Sequence, residues 1–430
     1  MSSANNSPLS HADGALLNRL PNRWDVVRLK FAVRVRSVKR NVVPEDRYIG
    51  LEHVESWTGR LQNSEDSSAN TEGLGVVFEA GDVLFGKLRP YLAKVFLADR
   101  PGIASTEFLA LQGVRVEAGF LRYCLVSEPF IGAVVAATYG AKMPRANWED
   151  IGNLPQVVPP RQEQRAIADF LDRETAKIDA LIAAQERLIA LLDEKRQATI
   201  THAVTKGLDP NAPMKESGVE WMGKVPQHWG VIPLKRCCRI PNGLVDPAVG
   251  RYATLSLIAP NHVQSGTGRL LEVETADDQG AISGKYHFAE GTVLYSKIRP
   301  ALRKACVAPF EGLCSADMYP IYSTKIRPRL LLYQLLSDYF SSFAILSSDR
   351  VAMPKVNRET IGDFPMVVPP SAEQEVIVRY VDEAVAEIDR LGDRSVEVIE
   401  RLRERRTALI TAAVTGQIDV TRQAITETAK

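Results

Sequence analysis

The sequence predicts an α+β protein: two similar α/β domains joined by two long antiparallel helices that form a coiled coil. Three observations support this fold class. The chain repeats itself about 210 residues later, and each copy contains short β-rich runs such as VVFEAGDVLFGKL. Each copy then continues, after a Pro-Pro pair, into roughly forty residues of helical periodicity. With 430 residues, the chain is long enough for two or three domains.

The N-terminal residues 1–18 read as a flexible polar leader, because they lack the basic start and apolar core of a signal peptide. No apolar run approaches the roughly 18 residues that cross a bilayer. The five cysteines are an odd number and form no C-x-x-C pair. We therefore expect a cytoplasmic protein with reduced thiols and no membrane partner.

A basic motif in the first domain returns in the second. GDVLFGKLRPYLAKV (81–95) is nearly the same as GTVLYSKIRPALRKA (291–305), so Lys-x-Arg-Pro occurs twice. Lysines and arginines in loops beside a β platform suit phosphate oxygens, which position a protein on a DNA duplex. A solvated charged face with a structural Arg-Pro turn explains the same residues, and both interpretations stay open.

A second repeated stretch follows, MPRANWEDIGNLPQVVPPRQEQ (143–164) and MPKVNRETIGDFPMVVPPSAEQ (353–374). Its polar residues extend the set of candidate DNA contacts. Tyr91 is replaced by Ala301, so a stacking role for this tyrosine would belong to the first copy alone. The candidate DNA-binding residues are Lys87, Arg89, Tyr91, Lys94, Lys142, Arg145, Asn147, Lys297, Arg299, Arg303, Lys304, Arg350, Lys355 and Asn357.

The long helices are predicted over 161–206 and 371–416, because Pro159-Pro160 and Pro369-Pro370 block helix continuation upstream. Helices of this length exceed the width of a small domain, which favours an antiparallel coiled coil over ordinary amphipathic helices packed on their own cores. The residues predicted to pair are Ile167, Leu171, Ile178, Leu181, Leu188, Leu192, Ile377, Val381, Ile388, Leu391, Val398 and Leu402.

Motifs of nucleic-acid enzymes are missing from the sequence. No G-x-x-x-x-G-K-[ST] is present, and neither Pro-Pro pair belongs to the Asn-Pro-Pro-Tyr that amino-methyltransferases use. The six histidines are scattered without metal-ligand spacing. We therefore predict no catalytic residue, no metal ligand and no bound cofactor. With 53 basic and 52 acidic residues, an anionic partner must be met by local patches.

The motifs in this order resemble those of the DNA-specificity subunits of type I restriction-modification systems. The resemblance rests on YIGLEHVESWTGRL (48–61), KLRPYLAKV, the stretch from 143, the helix that follows it, and the connector MKESGVEWMGKVPQHW. It implies two target recognition domains in a pseudo-two-fold arrangement, each reading half of a bipartite target in double-stranded DNA. The helices would act as spacer and as docking site for modification subunits.

The same resemblance places catalysis in partner subunits. Modification subunits would use S-adenosylmethionine, and restriction subunits would use ATP and magnesium, so this chain would be a non-catalytic part of a bacterial defence complex. The expected segments are a first recognition domain (1–160), a central helix (161–206), a connector with the second recognition domain (207–370), a C-terminal helix (371–416) and a tail (417–430).

The repeat is least regular between Trp24 and Gly81, where its offset changes. Loops of different length cannot present the same hydrogen-bonding groups to a major groove. We therefore expect residues 41–75 and 243–285 to supply many of the base contacts. Two alternatives stay open: a coiled-coil adaptor that binds protein without reading DNA, and a nuclease with dispersed ligands.

Overall fold

The computed structural model describes residues 20–62, 73–140, 143–348 and 354–420. The chain divides into two compact units: unit 1 is Met1–Gln185 with Glu397–Lys430, and unit 2 is Glu186–Val396. The units therefore differ from the two copies of the sequence repeat, because each unit contains residues from both copies.

The described residues of unit 1 form three sheets. Its strands are β1 (Asp25–Arg28), β2 (Val33–Val35), β3 (Lys39–Asn41), β4 (Tyr48–Ile49), β5 (Leu74–Phe78), β6 (Val83–Gly86), β7 (Val95–Leu97), β8 (Gly102–Ser105), β9 (Phe108–Gly113) and β10 (Pro155–Val158). The strand orders are β1-β10, β2-β9-β6-β7 and β3-β5-β8-β4. All described pairs are antiparallel except β4 with β8.

Unit 2 repeats this topology with local differences. Its strands are β11 (Met214–Glu216), β12 (Lys224–Pro226), β13 (Gly230–Pro233), β14 (Cys238–Arg239), β15 (Leu257–Ile258), β16 (Tyr286–Phe288), β17 (Val293–Ser296), β18 (Ala305–Val307), β19 (Gly312–Cys314), β20 (Met318–Ser323) and β21 (Pro365–Val368). The strand orders are β11-β12, β13-β21, β14-β20-β17-β18 and β15-β19-β16. The parallel pair β15 with β19 corresponds to β4 with β8.

Short helices flank the sheets, and one long helix follows each Pro-Pro pair. The helices are α1 (Leu29–Ala32), α2 (Ala118–Val126), α3 (Glu128–Ala136), α4 (Trp148–Ile151), α5 (Arg161–Lys206), α6 (Pro328–Leu336), α7 (Asp338–Leu346), α8 (Arg358–Asp363) and α9 (Ser371–Val414). The predicted α+β class, with two units and two long helices, is confirmed.

Strands β6 and β17 are inner strands of the sheets β2-β9-β6-β7 and β14-β20-β17-β18, and each is buried on both faces. In β6, Val83 and Phe85 join the cluster that includes α2, whereas Leu84 joins the cluster between the two larger sheets of unit 1. Strand β17 repeats this alternation, with Val293 on one side and Leu294 on the other. Successive side chains of a strand point to opposite faces, so two apolar layers fix the end of each strand, where the basic motif begins.

The long helices begin directly after the two Pro-Pro pairs, as the sequence predicts. Helix α5 has 46 residues and α9 has 44. Gly207 and Gly416 follow their ends with φ angles of 75° and 69°. A left-handed glycine commonly terminates a helix, and it explains why α9 stops at Val414, before the predicted end at 416.

Within each unit, a segment of α5 packs antiparallel to a segment of α9. In unit 1, Asp179 pairs with Arg406, and Ile167 shares a core cluster with Ile410. In unit 2, Arg196 pairs with Asp389, and likewise Ile200 clusters with Ile377.

Four of the residues predicted to pair are exposed: Leu181 by 53%, Leu188 by 41%, Leu391 by 42% and Val398 by 37%. The prediction was wrong for these four. The inner positions of α5 recur at alternating steps of three and four as Ile178, Ile182, Gln185, Ile189, Leu192 and Arg196. Leu181 precedes an inner residue by one position, which turns it about 100° away around the helix.

The other predicted pairing residues lie inward. Ile167, Leu171, Ile178, Leu192, Ile377, Val381 and Ile388 are buried, and Leu402 is half-buried. The inner face of α9 also contains polar residues: Ser395 and Arg406 are buried.

Candidate nucleic-acid interface

The Lys-x-Arg-Pro loop of unit 1 leaves strand β6 and pairs with the Met-Pro-x-x-Asn segment. Backbone N–H groups of Lys87 and Arg89 donate to the carbonyls of Glu107 and Pro144, both at 2.8 Å. The N–H of Ala146 donates back to the Lys87 carbonyl at 3.1 Å. The fold thus joins two motifs that are more than fifty residues apart in the sequence.

Unit 2 builds the same pair of loops. The N–H of Arg299 donates to the Pro354 carbonyl at 2.8 Å, and the N–H of Val356 donates to the Lys297 carbonyl at 2.9 Å. Ile298 forms an isolated antiparallel β-bridge with Lys355, and Leu88 forms the same bridge with Arg145 in unit 1. The repeated sequence motif therefore has the same backbone geometry in both units.

The arginine of each motif has an unusual backbone conformation. Arg89 and Arg299 have φ angles of 50° and 47°, in the left-handed region that non-glycine residues seldom adopt. The buried prolines that follow begin short 3-10 helices, Pro90–Leu92 and Pro300–Leu302. Both arginine side chains are exposed, and neither has a hydrogen-bond or ion-pair partner among the described residues. Strained, unpaired residues of this kind concentrate at binding sites.

The lysine of each motif is only half exposed. Burial lowers the pKa of Lys87, and the nearby Glu107 carboxylate opposes that shift. The ammonium of Lys297 lies 5.6 Å from the ring centroid of Tyr319. A partly desolvated ammonium group interacts more strongly with an approaching anion than a fully hydrated one does.

Several predicted contact residues have structural partners. The Lys94 ammonium donates to the Leu51 carbonyl at 2.6 Å, and Lys304 donates to Pro260 at 2.7 Å. The side chain of Asn147 accepts from the N–H of Asp150 at 2.8 Å, which caps helix α4. These contacts explain why such residues recur, independently of any DNA contact.

The remaining candidates divide between paired and exposed side chains. Asn357 caps α8 as Asn147 caps α4, by accepting from Thr360 at 2.8 Å. Arg145 donates to Glu107 at 2.6 Å, and Arg303 donates to Gln197 at 2.7 Å. Tyr91 is 47% exposed and Lys355 is exposed. Lys142 and Arg350 lie outside the described residues.

Sequence analysis missed two ion clusters, one in each unit. A short Thr-Gly-Arg stretch occurs at 58–60 and again at 267–269, within the region where the repeat loses its register. Its arginines approach Asp179 in unit 1 and Asp389 in unit 2. The repeated Thr-Gly-Arg was the available signal, because glycine and arginine recur there although the loops before them differ in length.

The described residues contain no group of three histidine, cysteine or acidic side chains placed to hold a metal ion. All five cysteines are buried and free, and burial raises the pKa of Cys124 and of Cys306 to about 12. In the same parts of the chain, no single helix is long and apolar enough to span a membrane. The bent pair α2 and α3 meets that criterion of length and composition, and its apolar residues join the core of unit 1.

Two similar units, each with the same basic loop pair and one end of each long helix, define a duplicated binding protein. No protein-family model matches the chain. Over 294 residues it is 30% identical to the EcoDI specificity subunit, a type I restriction enzyme subunit of Escherichia coli, with 65% of this chain and 66% of that protein covered. The chain is therefore similar to the specificity subunits of type I restriction enzymes.

A more distant relative extends this similarity along the chain. The MjaVIII specificity subunit of a type I restriction enzyme from Methanocaldococcus jannaschii is 21% identical, with 94% of both chains covered. The EcoDI alignment, in contrast, spans just under two thirds of that relative's length. Among solved structures, a chain from a type I R-M system is 20% identical with a TM-score of 0.66, covering 93% of this chain and 100% of that chain. This structural similarity shows the fold.

Proposed function

We propose that this chain is the DNA-reading subunit of a type I restriction-modification complex, in which each unit recognises one half of a bipartite target. One observation carries the proposal: each unit presents an exposed, unpaired arginine, Arg89 or Arg299, from the same left-handed backbone position. Arginine pairs well with phosphate oxygens, and a duplex offers similar phosphate positions to both units. The duplicated loop is therefore the sequence-independent part of the DNA contact.

Base contacts come from the loops that differ between the units. In unit 2, Ile282 is 92% exposed and Val249 is 59% exposed, both within residues 243–285. Exposed apolar groups suit the methyl group of thymine in the major groove. In unit 1 the corresponding region begins at the last residue of β3, and Lys39–Asn41 are all exposed. Residues 63–72 of the predicted reading loop 41–75 lie outside the described residues.

Modification subunits dock on the outer faces of the long helices. Leu181 and Leu188 in α5 are exposed at the positions that Leu391 and Val398 occupy in α9. Apolar side chains retained on an exposed face in both copies suit two equal docking sites. Methyl transfer, with S-adenosylmethionine, and ATP- and magnesium-dependent restriction then belong to partner subunits, and the complex acts on DNA in the cytoplasm. No observation favours the adaptor that does not read DNA.

Replacing the arginines tests the DNA contact. We expect Arg89→Ala and Arg299→Ala each to weaken binding to specific and non-specific duplexes alike, and to reduce the slope of log affinity against log salt by roughly one, because one phosphate contact is lost. Fluorescence anisotropy of the full chain, with and without its modification subunit, measures both quantities.

Arg401→Ala is the matched control, because Arg401 is a 77% exposed arginine on α9 whose removal makes the same charge change. Its salt slope should equal that of the wild type. An equal loss of slope in the control would contradict a specific role for the loop arginines. A change in the preferred bases would instead make Arg89 or Arg299 a base reader.

A further inference from the structure

Unit 1 contains a buried carboxylate between two arginines. Asp179 on α5 accepts a hydrogen bond from Arg406 Nε on α9 at 3.0 Å, and its other oxygen lies 2.7 Å from Nη2 of Arg60. The side chains of Asp179 and Arg406 are only 9% and 10% exposed. This cluster joins both long helices to the loop that carries Arg60.

Unit 2 contains the equivalent cluster with the helices exchanged. Asp389 on α9 pairs with Arg196 on α5, and its second oxygen lies 3.1 Å from Nη2 of Arg269. The Arg196 side chain is 3% exposed. Asp389 is the repeat of Asp179, and Arg196 corresponds to Arg406 in the same register. Each cluster therefore takes its aspartate from one copy and its buried arginine from the other.

The buried arginine also holds the backbone of the recognition region. Arg406 Nη1 donates to the Trp57 carbonyl at 2.9 Å, and Arg196 Nη2 donates to the Thr267 carbonyl at 2.9 Å. Trp57 has a left-handed φ of 67°, a conformation that this side chain seldom adopts. One guanidinium thus contacts the aspartate and the loop backbone together, which a lysine ammonium, a single point charge on a flexible stem, does much less well.

We propose that the two Arg–Asp–Arg clusters position the loops that carry Arg60 and Arg269. Through its buried arginine, each long helix positions the DNA-reading region of the opposite copy. Arg196, encoded in the first copy, positions unit 2, and Arg406, encoded in the second, positions unit 1. The inference rests on the proposed DNA-reading function. Base discrimination requires fixed hydrogen-bond geometry, so a loop that shifts on its helices loses selectivity while its phosphate contacts remain.

Arg406→Lys and Arg196→Lys test this assignment, because each keeps the charge pair but removes the fork that also reaches the loop carbonyl. The readout is methylome sequencing of cells that carry the full chain with its modification subunits. The half-site of unit 1 is identified beforehand by exchanging residues 1–160 for those of a relative.

We expect Arg406→Lys to increase methylation about tenfold at sites with one wrong base in the half read by unit 1, the equivalent of one hydrogen bond to a charged group. The other half should stay as selective as in the wild type. Arg196→Lys should show the reverse pattern, relaxing only the half read by unit 2. A structural defect alone would lower methylation at all sites equally.

Three outcomes would overturn the inference. Base selectivity could fall only in the half-site read by the copy that carries the substitution, it could fall in both half-sites, or it could fall in neither. If a lysine variant does not fold, Arg60→Ala and Arg269→Ala replace it, because these outer arginines are 55% and 44% exposed and leave the buried pair intact. They must relax the halves of units 1 and 2 respectively, and unchanged selectivity in both would also overturn it. A wild-type methylome without a bipartite motif would contradict the proposed DNA-reading function itself.

Discussion

The glycine of each Thr-Gly-Arg loop packs closely against a neighbouring residue of the same unit. Gly59 has a φ of 71°, and a Cβ added there would lie 2.1 Å from the carbonyl oxygen of Val95. Gly268 has a φ of 75°, and its Cβ would lie 3.1 Å from a methyl carbon of Leu332. Backbone cannot move away as a flexible side chain can, so the first position tolerates a side chain least.

We predict that Gly59→Ala destabilises the chain by roughly 2 to 4 kcal/mol, because it combines a left-handed φ with a backbone clash. The matched control is Gly81→Ala, whose φ is 84° but whose Cβ would meet nothing within 4 Å. It should cost only about 1 kcal/mol. Thermal melting compares the two variants. Equal losses would show that the clash at Gly59 relaxes without cost.

Two pairs of repeated polar residues have local structural roles that their repetition alone does not reveal. Asn147 and Asn357 recur because they cap α4 and α8, and Lys94 and Lys304 recur because each binds a carbonyl. A sequence repeat retains a polar residue for local structure and for binding alike, so repetition cannot separate the two roles. Arg89 and Arg299 differ, because the described structure gives their side chains no internal partner.

The existence and the first residue of each long helix were predictable from the sequence. A Pro-Pro pair precedes each helix, and apolar residues recur at helical spacing within it. Their inner faces were only partly predictable. Ile182 and Leu181 are neighbours with similar side chains, yet Ile182 is half-buried and Leu181 is exposed. Only the packing partner decides this difference. The buried Arg196 and Arg406 carry no apolar signal, because they are buried through their ion pairs.

Two substitutions on α5 separate its inner and outer faces. We predict that Ile178→Asp lowers the free energy of unfolding by roughly 3 to 5 kcal/mol, because Ile178 is 6% exposed and a buried unpaired carboxylate is costly. Leu181→Asp, at 53% exposure, should change it by less than about 1 kcal/mol. Urea unfolding followed by circular dichroism measures both.

Leu181→Asp has a second expected effect. If its face docks a modification subunit, the variant should fold normally but co-purify poorly with that subunit. Normal co-purification would contradict the docking surface without affecting the fold.

The sequence repeat and the structural units have different boundaries. The second half of α5 belongs to unit 2, and the end of α9 belongs to unit 1. The duplication was visible in the sequence because the motifs align over most of each copy. The exchange of helix segments was not, because it depends on which part of one helix packs with which part of the other.

We predict that exchanging residues 1–160 for those of a relative changes one half of the DNA target and leaves the other half intact. The junction precedes α5, so Asp179 and Arg196 stay in place. Methylome sequencing of cells carrying the chimera reports the target. Two changed half-sites, or none, would contradict two independent readers.

The cross-copy pairing of Asp179 with Arg406 and of Asp389 with Arg196 has a consequence for inheritance. Recombination between related genes at the codons of Pro159-Pro160 transfers the first recognition region without disturbing either pair, because all four residues lie downstream of that junction in the helices. An incoming region must bring only its own Thr-Gly-Arg to fit the recipient. A single crossover inside a helix, or at Pro369-Pro370, would instead join aspartates and arginines of different lineages, so natural single-junction chimeras should have their junction before the first long helix.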